Sequence, residues 1–115
     1  MDIRLLVLRT EDTRRLADFY SLFGLTFDYH QHGNSPFHYS AMIGQTVLKI
    51  YPLAKSQAEP DKHLRLGFAI DDFETTVQRL KELNIPFYLD PAPTEFGFMT
   101  VISDPDGRKI ELYKK

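Results

Sequence analysis

Apolar and polar positions along this chain alternate between two periods, and the order in which those periods appear is repeated. Ile3 to Arg9 is a run of branched apolar residues that ends at Thr10-Glu11-Asp12, a cluster suited to helix N-capping, so a strand is expected to give way to a helix there. Leu16, Phe19, Tyr20 and Phe23 then fall at i, i+3, i+4 and i+7, which places them on one helical face. Gly24 follows where a left-handed residue stops a helix. Thr26 to His30 reads as extended, His32-Gly33-Asn34-Ser35-Pro36 as a turn, and Phe37 to Ile43 as extended again. Gly44-Gln45 turns the chain into a last strand, Thr46 to Tyr51. The unit is β-α-β-β-β. From Pro52 to Lys62 there is no apolar period and two prolines, the composition of a linker.

The pattern then restarts, which is the signature of an internal repeat. Leu64, Leu66, Phe68 and Ile70 alternate with Arg65, Gly67 and Ala69, giving a strand with two distinct faces. Asp71 or Asp72 is placed to cap a second helix carrying Phe73, Val77 and Leu80 on one side, and Asn84 sits where a left-handed residue ends a helix. Ile85-Pro86-Phe87 echoes Leu25-Thr26-Phe27. Phe98 to Ser103 and Arg108 to Lys114 form a closing hairpin around Asp104-Pro105-Asp106-Gly107, a strong turn sequence. The expected fold is α+β: one domain over 1–115, with module 1 at 1–52, a linker at 53–62 and module 2 at 63–115. A ferredoxin-like domain shares the β-α-β start but accounts less well for three strands after each helix.

At 115 residues, 43% hydrophobic and 26% charged, the chain is sized and composed for one compact domain rather than disorder. Its net charge of -2 supplies no positive field, so neither nucleic acid nor an anionic membrane surface is an expected partner. The absence of cysteine removes disulfides, thiolate nucleophiles and Cys-based metal sites. Without an N-terminal leader pattern or a membrane-length apolar run, a cytoplasmic location is expected.

Two segments carry a resemblance. Leu16-Ala17-Asp18-Phe19-Tyr20-Ser21-Leu22-Phe23-Gly24-Leu25 and, more firmly, Asp104-Pro105-Asp106-Gly107-Arg108-Lys109-Ile110-Glu111-Leu112 resemble the vicinal oxygen chelate superfamily, which holds glyoxalases, bleomycin resistance proteins and extradiol dioxygenases. The resemblance spans nearly the whole chain. It implies two tandem βαβββ modules forming an incomplete barrel around a cavity, and commonly a homodimer. Leu48, Ile50, Ile110 and Leu112 would then face the helices, while Lys49, Tyr51, Glu111 and Tyr113 face inward.

Members of this family place His or Glu ligands for a divalent metal on the first and last strand of each unit. Here Glu111 matches, but the other three positions hold Leu5, Lys49 and Arg65, none of which ligates a metal. A useful site needs about three protein ligands, so no metal and no cofactor are expected. The resemblance therefore points to metal-independent binding of a small anionic or aromatic organic molecule. The expected ligand pocket comprises Lys49, Tyr51, His63, Arg65, Glu111 and Tyr113, with Lys49 and Arg65 converging near Glu111. Phe37, Tyr39, Phe96 and Phe98 are further candidate walls. The competing reading is a metal-dependent lyase, isomerase or dioxygenase whose ligands come from His30, His38, His63, Glu111 or a partner chain. His30-x-His32 suits a metal on one strand face, but a surface or turn role is the simpler reading for both. A purely structural or interaction module, with no ligand-sized cavity, is the third possibility.

Overall fold

The computed structural model describes all residues from Met1 to Lys115. They divide into two compact units, 1–61 and 62–115, each with one helix and one four-stranded mixed sheet. Both follow the β-α-β-β-β order read from the apolar pattern.

In the first unit β1 (Leu5–Thr10) leads into α1 (Thr13–Ser21), then β2 (Asp28–His30), β3 (His38–Ile43) and β4 (Thr46–Pro52). The sheet order is β1-β4-β3-β2, with β1 parallel to β4 and the other pairs antiparallel. Asp12 caps α1, its Oδ1 accepting from the Arg15 N–H at 3.0 Å. Gly24, at φ +92°, ends the following turn in a conformation open to glycine. Leu16, Phe19 and Tyr20 are buried with Leu8, Leu48 and Ile50, as the helical and strand periods require.

In the second unit β5 (Leu66–Ile70), α2 (Phe73–Glu82), β6 (Phe87–Thr94), β7 (Gly97–Ser103) and β8 (Lys109–Lys114) form the sheet β5-β8-β7-β6. Phe73, Val77 and Leu80 are buried together with Ile110 and Leu112, and α2 packs against β8. Neither sheet closes on itself; β1 and β2 are the edges of one, β5 and β6 of the other.

Two details differ from the sequence reading. Asp72 occupies the α2 N-cap position but is left-handed, at φ +50°, and its side chain makes no capping bond; the chain turns sharply from β5 into α2 and takes the backbone that Asp tolerates better than most residues. β6 is a full eight-residue strand through Pro91 and Pro93. It is an edge strand with register shifts, the setting in which proline is tolerated because no ladder donor is needed.

The turn between β7 and β8 is more than a turn. Arg108 is buried and donates from Nη1 to Asp104 Oδ2 at 3.1 Å and Asp106 Oδ2 at 2.8 Å. Asp104 Oδ1 accepts the backbone N–H of Asp106 and of Arg108. Burial opposes the Arg108 charge, but Asp106 and Asp104 outweigh it and raise its pKa above the ordinary value.

Candidate functional site

Strand alternation gives each sheet one helix-covered face and one opposite face, and the residues with chemistry lie on the latter. In the second unit Glu111 and Tyr113 are two apart on β8, so they share that face. Gly67 is the register partner of Glu111 on β5. Because Gly67 has no side chain, Arg65 reaches diagonally past it, and its Nε donates to Glu111 Oε2 at 2.6 Å. The Tyr113 hydroxyl donates to the other oxygen, Oε1. This bond and, less strongly, Arg65 hold the Glu111 carboxyl below the usual carboxylate range against a desolvation that would raise it. Glu111 in turn pushes the Tyr113 phenol up.

These three residues border a cavity of about 550 Å³. Its apolar wall comes from Met99 and Val101, the β7 partners of Tyr113 and Glu111, and from Leu89 and Phe96. Glu95 adds a second carboxylate, so the lining carries one cation and two anions. Arg65, Glu111 and Tyr113 were expected here, as was Phe96. Met99 and Val101 were not, although their parity on the strand opposite Glu111 is the signal that places them. His63 is exposed, ahead of β5, and does not line this cavity.

Lys49 and Tyr51 belong to β4 of the first unit and have other neighbours there. Lys49 is in register with Ser40, and Tyr51 stacks on His38 with ring centroids 4.3 Å apart. Arg9 on β1 stands over the Tyr51 ring, 5.1 Å from its centroid. His38 faces His30 across β3 and β2, with ring centroids 4.7 Å apart. His32 folds back from the turn to bring its ring 4.5 Å from His30 and 5.3 Å from His38. Partial desolvation, then the charges of His30, Lys49 and His38, lower the His32 pKa and favour its neutral form. The sequence reading paired His30 with His32 and named His38 only as a separate candidate ligand; the hairpin brings all three together.

No helix is long and apolar enough to cross a membrane. A family model described as the glyoxalase/bleomycin resistance protein/dioxygenase superfamily matches residues 3–112, whereas no curated protein matches the chain. Among solved structures, an antibiotic-binding protein, TnmS3 from Streptomyces sp. CB03234, is similar at 23% identity, with a TM-score of 0.75 over 99% of this chain and 95% of that one. A protein named oxidase ChaP-H2 is similar at 19% identity and TM-score 0.76, covering 100% and 94% of the two chains. A virulence protein from Salmonella typhimurium is similar at 18% identity and TM-score 0.71, covering 99% and 96%. At these identities the likeness is one of fold.

Proposed function

This chain belongs to the glyoxalase/bleomycin resistance protein/dioxygenase superfamily, and from that premise we propose that it binds a small aromatic organic molecule without using the family's divalent metal. The observation that carries this reading is the cavity of the second unit, in which Phe96, Tyr113 and apolar side chains surround the Arg65–Glu111–Tyr113 network. Mostly apolar walls with a few convergent polar groups are the composition of a small-molecule site.

A divalent ion at the family's chelating positions does not fit these residues. Leu5 has no donor atom, Lys49 is a cation, and the two oxygens of Glu111 are engaged by Arg65 and Tyr113. With one cation against two carboxylates on its walls, the cavity favours a neutral or cationic aromatic guest over an anion. Arg65 and Glu111 satisfy one another, so the guest needs only to accept or donate one or two hydrogen bonds at that edge. An antibiotic-binding neighbour of the same fold supports a small-molecule ligand, and the aromatic preference rests on the cavity walls alone.

A thermal-shift screen of planar aromatic compounds in neutral, cationic and anionic sets, run with and without a chelator, tests the reading. Neutral or cationic aromatics should raise the melting temperature equally in both buffers, because a ligand selective for the folded state stabilises it. Phe96→Ala and Tyr113→Phe should weaken the effect. Stabilisation that needs a divalent ion, metal-dependent turnover of the bound compound, or binding indifferent to both substitutions would overturn it.

A further inference from the structure

We infer that His30, His32 and His38 form a binding site for a divalent transition metal of the zinc, nickel or copper type, on the β2–β3 hairpin and away from the family's chelating positions. One donor nitrogen from each histidine lies within 4.8 Å of the others. The inference stands apart from the small-molecule reading above and requires none of its residues.

The hairpin assembles the three rings for separate reasons. His30 and His38 are direct register partners in the antiparallel β2–β3 pair, so their side chains emerge on one face at the spacing of cross-strand neighbours. His32 is two residues beyond His30 and keeps the same side. The turn then locks it: the Ser35 N–H donates to the His32 carbonyl at 2.9 Å, the His32 N–H donates to Ser35 Oγ at 3.0 Å, and Gln31 Nε2 donates to the Ser35 carbonyl at 2.8 Å. Gly33, at φ +55°, takes the left-handed step.

His38 supplies the observation that points to a ligand. Its ring is fully buried, and Nδ1 is 3.0 Å from the Pro36 carbonyl. A carbonyl only accepts, so Nδ1 carries the proton and Nε2 of the neutral ring is a bare lone pair. That Nε2 is buried with no hydrogen-bond partner in the protein. A backbone carbonyl fixing the tautomer of a histidine whose other nitrogen is left free is the outer-shell arrangement of metal-ligating histidines. His30 Nε2 lies 3.2 Å from Ser40 Oγ, a hydroxyl that can donate or accept, which leaves Nδ1 as the ring nitrogen open to a metal. Tyr51, stacked on His38, holds that ring in plane.

The donor set selects the metal. Three imidazoles and no carboxylate suit zinc, nickel and copper and do not suit calcium or magnesium, which need oxygen ligands. A tetrahedral ion with bonds of about 2.0–2.1 Å spaces its ligands roughly 3.3 Å apart. Rotation of the exposed His32 and half-exposed His30 rings closes the difference while His38 stays fixed. Three protein ligands leave one position for water or another small ligand. Lys49, in register with Ser40 on the neighbouring strand, adds a positive charge to this face, and it tempers the affinity.

The test is titration of the full chain with Zn²⁺, Ni²⁺ and Co²⁺, followed by calorimetry, with the cobalt visible spectrum reporting imidazole ligation. One equivalent should bind, Mg²⁺ should not compete, and the ring resonances of all three histidines should shift. Removing a ligand should cost at least as much as removing an outer-shell partner, so His32→Ala should weaken binding about tenfold or more. His32 is exposed, so that variant should fold normally; His30→Ala provides a second check should His38→Ala fail to fold. Absence of saturable 1:1 binding, or binding unchanged by both His32→Ala and His30→Ala, overturns the assignment.

Discussion

The two units run the same row of positions across their sheets and fill it with opposite chemistry. In the first unit the row reads Arg9, Tyr51, His38, His30; at the matching register in the second it reads Ala69, Tyr113, Met99, Ala92. One row toward the strand starts, Val7 and Lys49 stand where the second unit has Gly67 and Glu111. Only the tyrosine is shared. In the first unit it stacks on a histidine, and in the second it holds a carboxylate and walls a cavity. A duplicated scaffold fixes where side chains point, and the residues placed there decide whether the face becomes a donor cluster or an apolar hollow.

The largest difference lies in the closing hairpins. The first unit turns from β3 to β4 on Gly44-Gln45, while the second encloses Arg108 with Asp104 and Asp106. Arg108→Ala should therefore destabilise the chain by about 3–5 kcal/mol, because it leaves carboxylates in place without their buried partner. Replacing Gln45 should change little. Urea unfolding of both variants measures the contrast, and equal effects would show that the ion cluster is a passenger of the turn.

Exchanging residues between matched positions sharpens the comparison. His38→Met imports Met99 and should abolish the metal response of the first unit. It should change stability by no more than about 1–2 kcal/mol, since it trades a buried bare nitrogen and one carbonyl bond for an apolar side chain. Gly67→Val imports Val7. Its branches would stand against Tyr113 and Glu111, whose atoms already lie 3.5–3.7 Å from a Cβ built there, so it should obstruct the Arg65–Glu111 contact. Aromatic ligand affinity should fall by roughly tenfold, or about 1.4 kcal/mol, with the fold intact. Calorimetry against the best compound of the thermal-shift screen measures it.

Legibility in the sequence followed the range of the signal. The helical faces of Leu16, Phe19 and Tyr20 and of Phe73, Val77 and Leu80, the capping cluster Thr10-Glu11-Asp12, of which Asp12 is the cap, and the left-handed Asn84 are local, and each was readable and is found in the structure. For β6 only the echo Ile85-Pro86-Phe87 was legible; the strand runs on through Pro91 and Pro93, residues unusual inside a strand, and its edge position is what admits them. The histidine cluster depends on pairing between strands. His30 and His38 are equidistant from Asn34, so centring the hairpin on that residue would have set them opposite one another, and that register appears in neither strand alone. The Arg65–Glu111 contact likewise depends on Gly67 being empty, a property of a neighbour rather than of either ion.

The smallest expected effect concerns pH and separates the rows next to the two tyrosines. The Tyr113 hydroxyl and Arg65 depress the Glu111 pKa in the folded chain. A group whose folded pKa lies below its unfolded value contributes stability that is present above the unfolded pKa, near the ordinary carboxylate value, and lost as pH falls through the folded one. Lys49, at the matching place on β4, carries an amine in place of the carboxylate. The stability gap between the parent chain and Glu111→Gln should therefore be constant near neutrality and shrink below the ordinary carboxylate range, while the gap to Lys49→Met stays flat. With the Arg65 side chain 50% and the Glu111 side chain 23% exposed, solvent screening limits the ion pair's share of the gap to under about 1 kcal/mol. Urea midpoints measured in steps from neutral to acid resolve it. A gap that persists unchanged into acid would mean that Glu111 is held by packing rather than by its charge, and the second unit's network would then be no more electrostatic than the first unit's stacked rings.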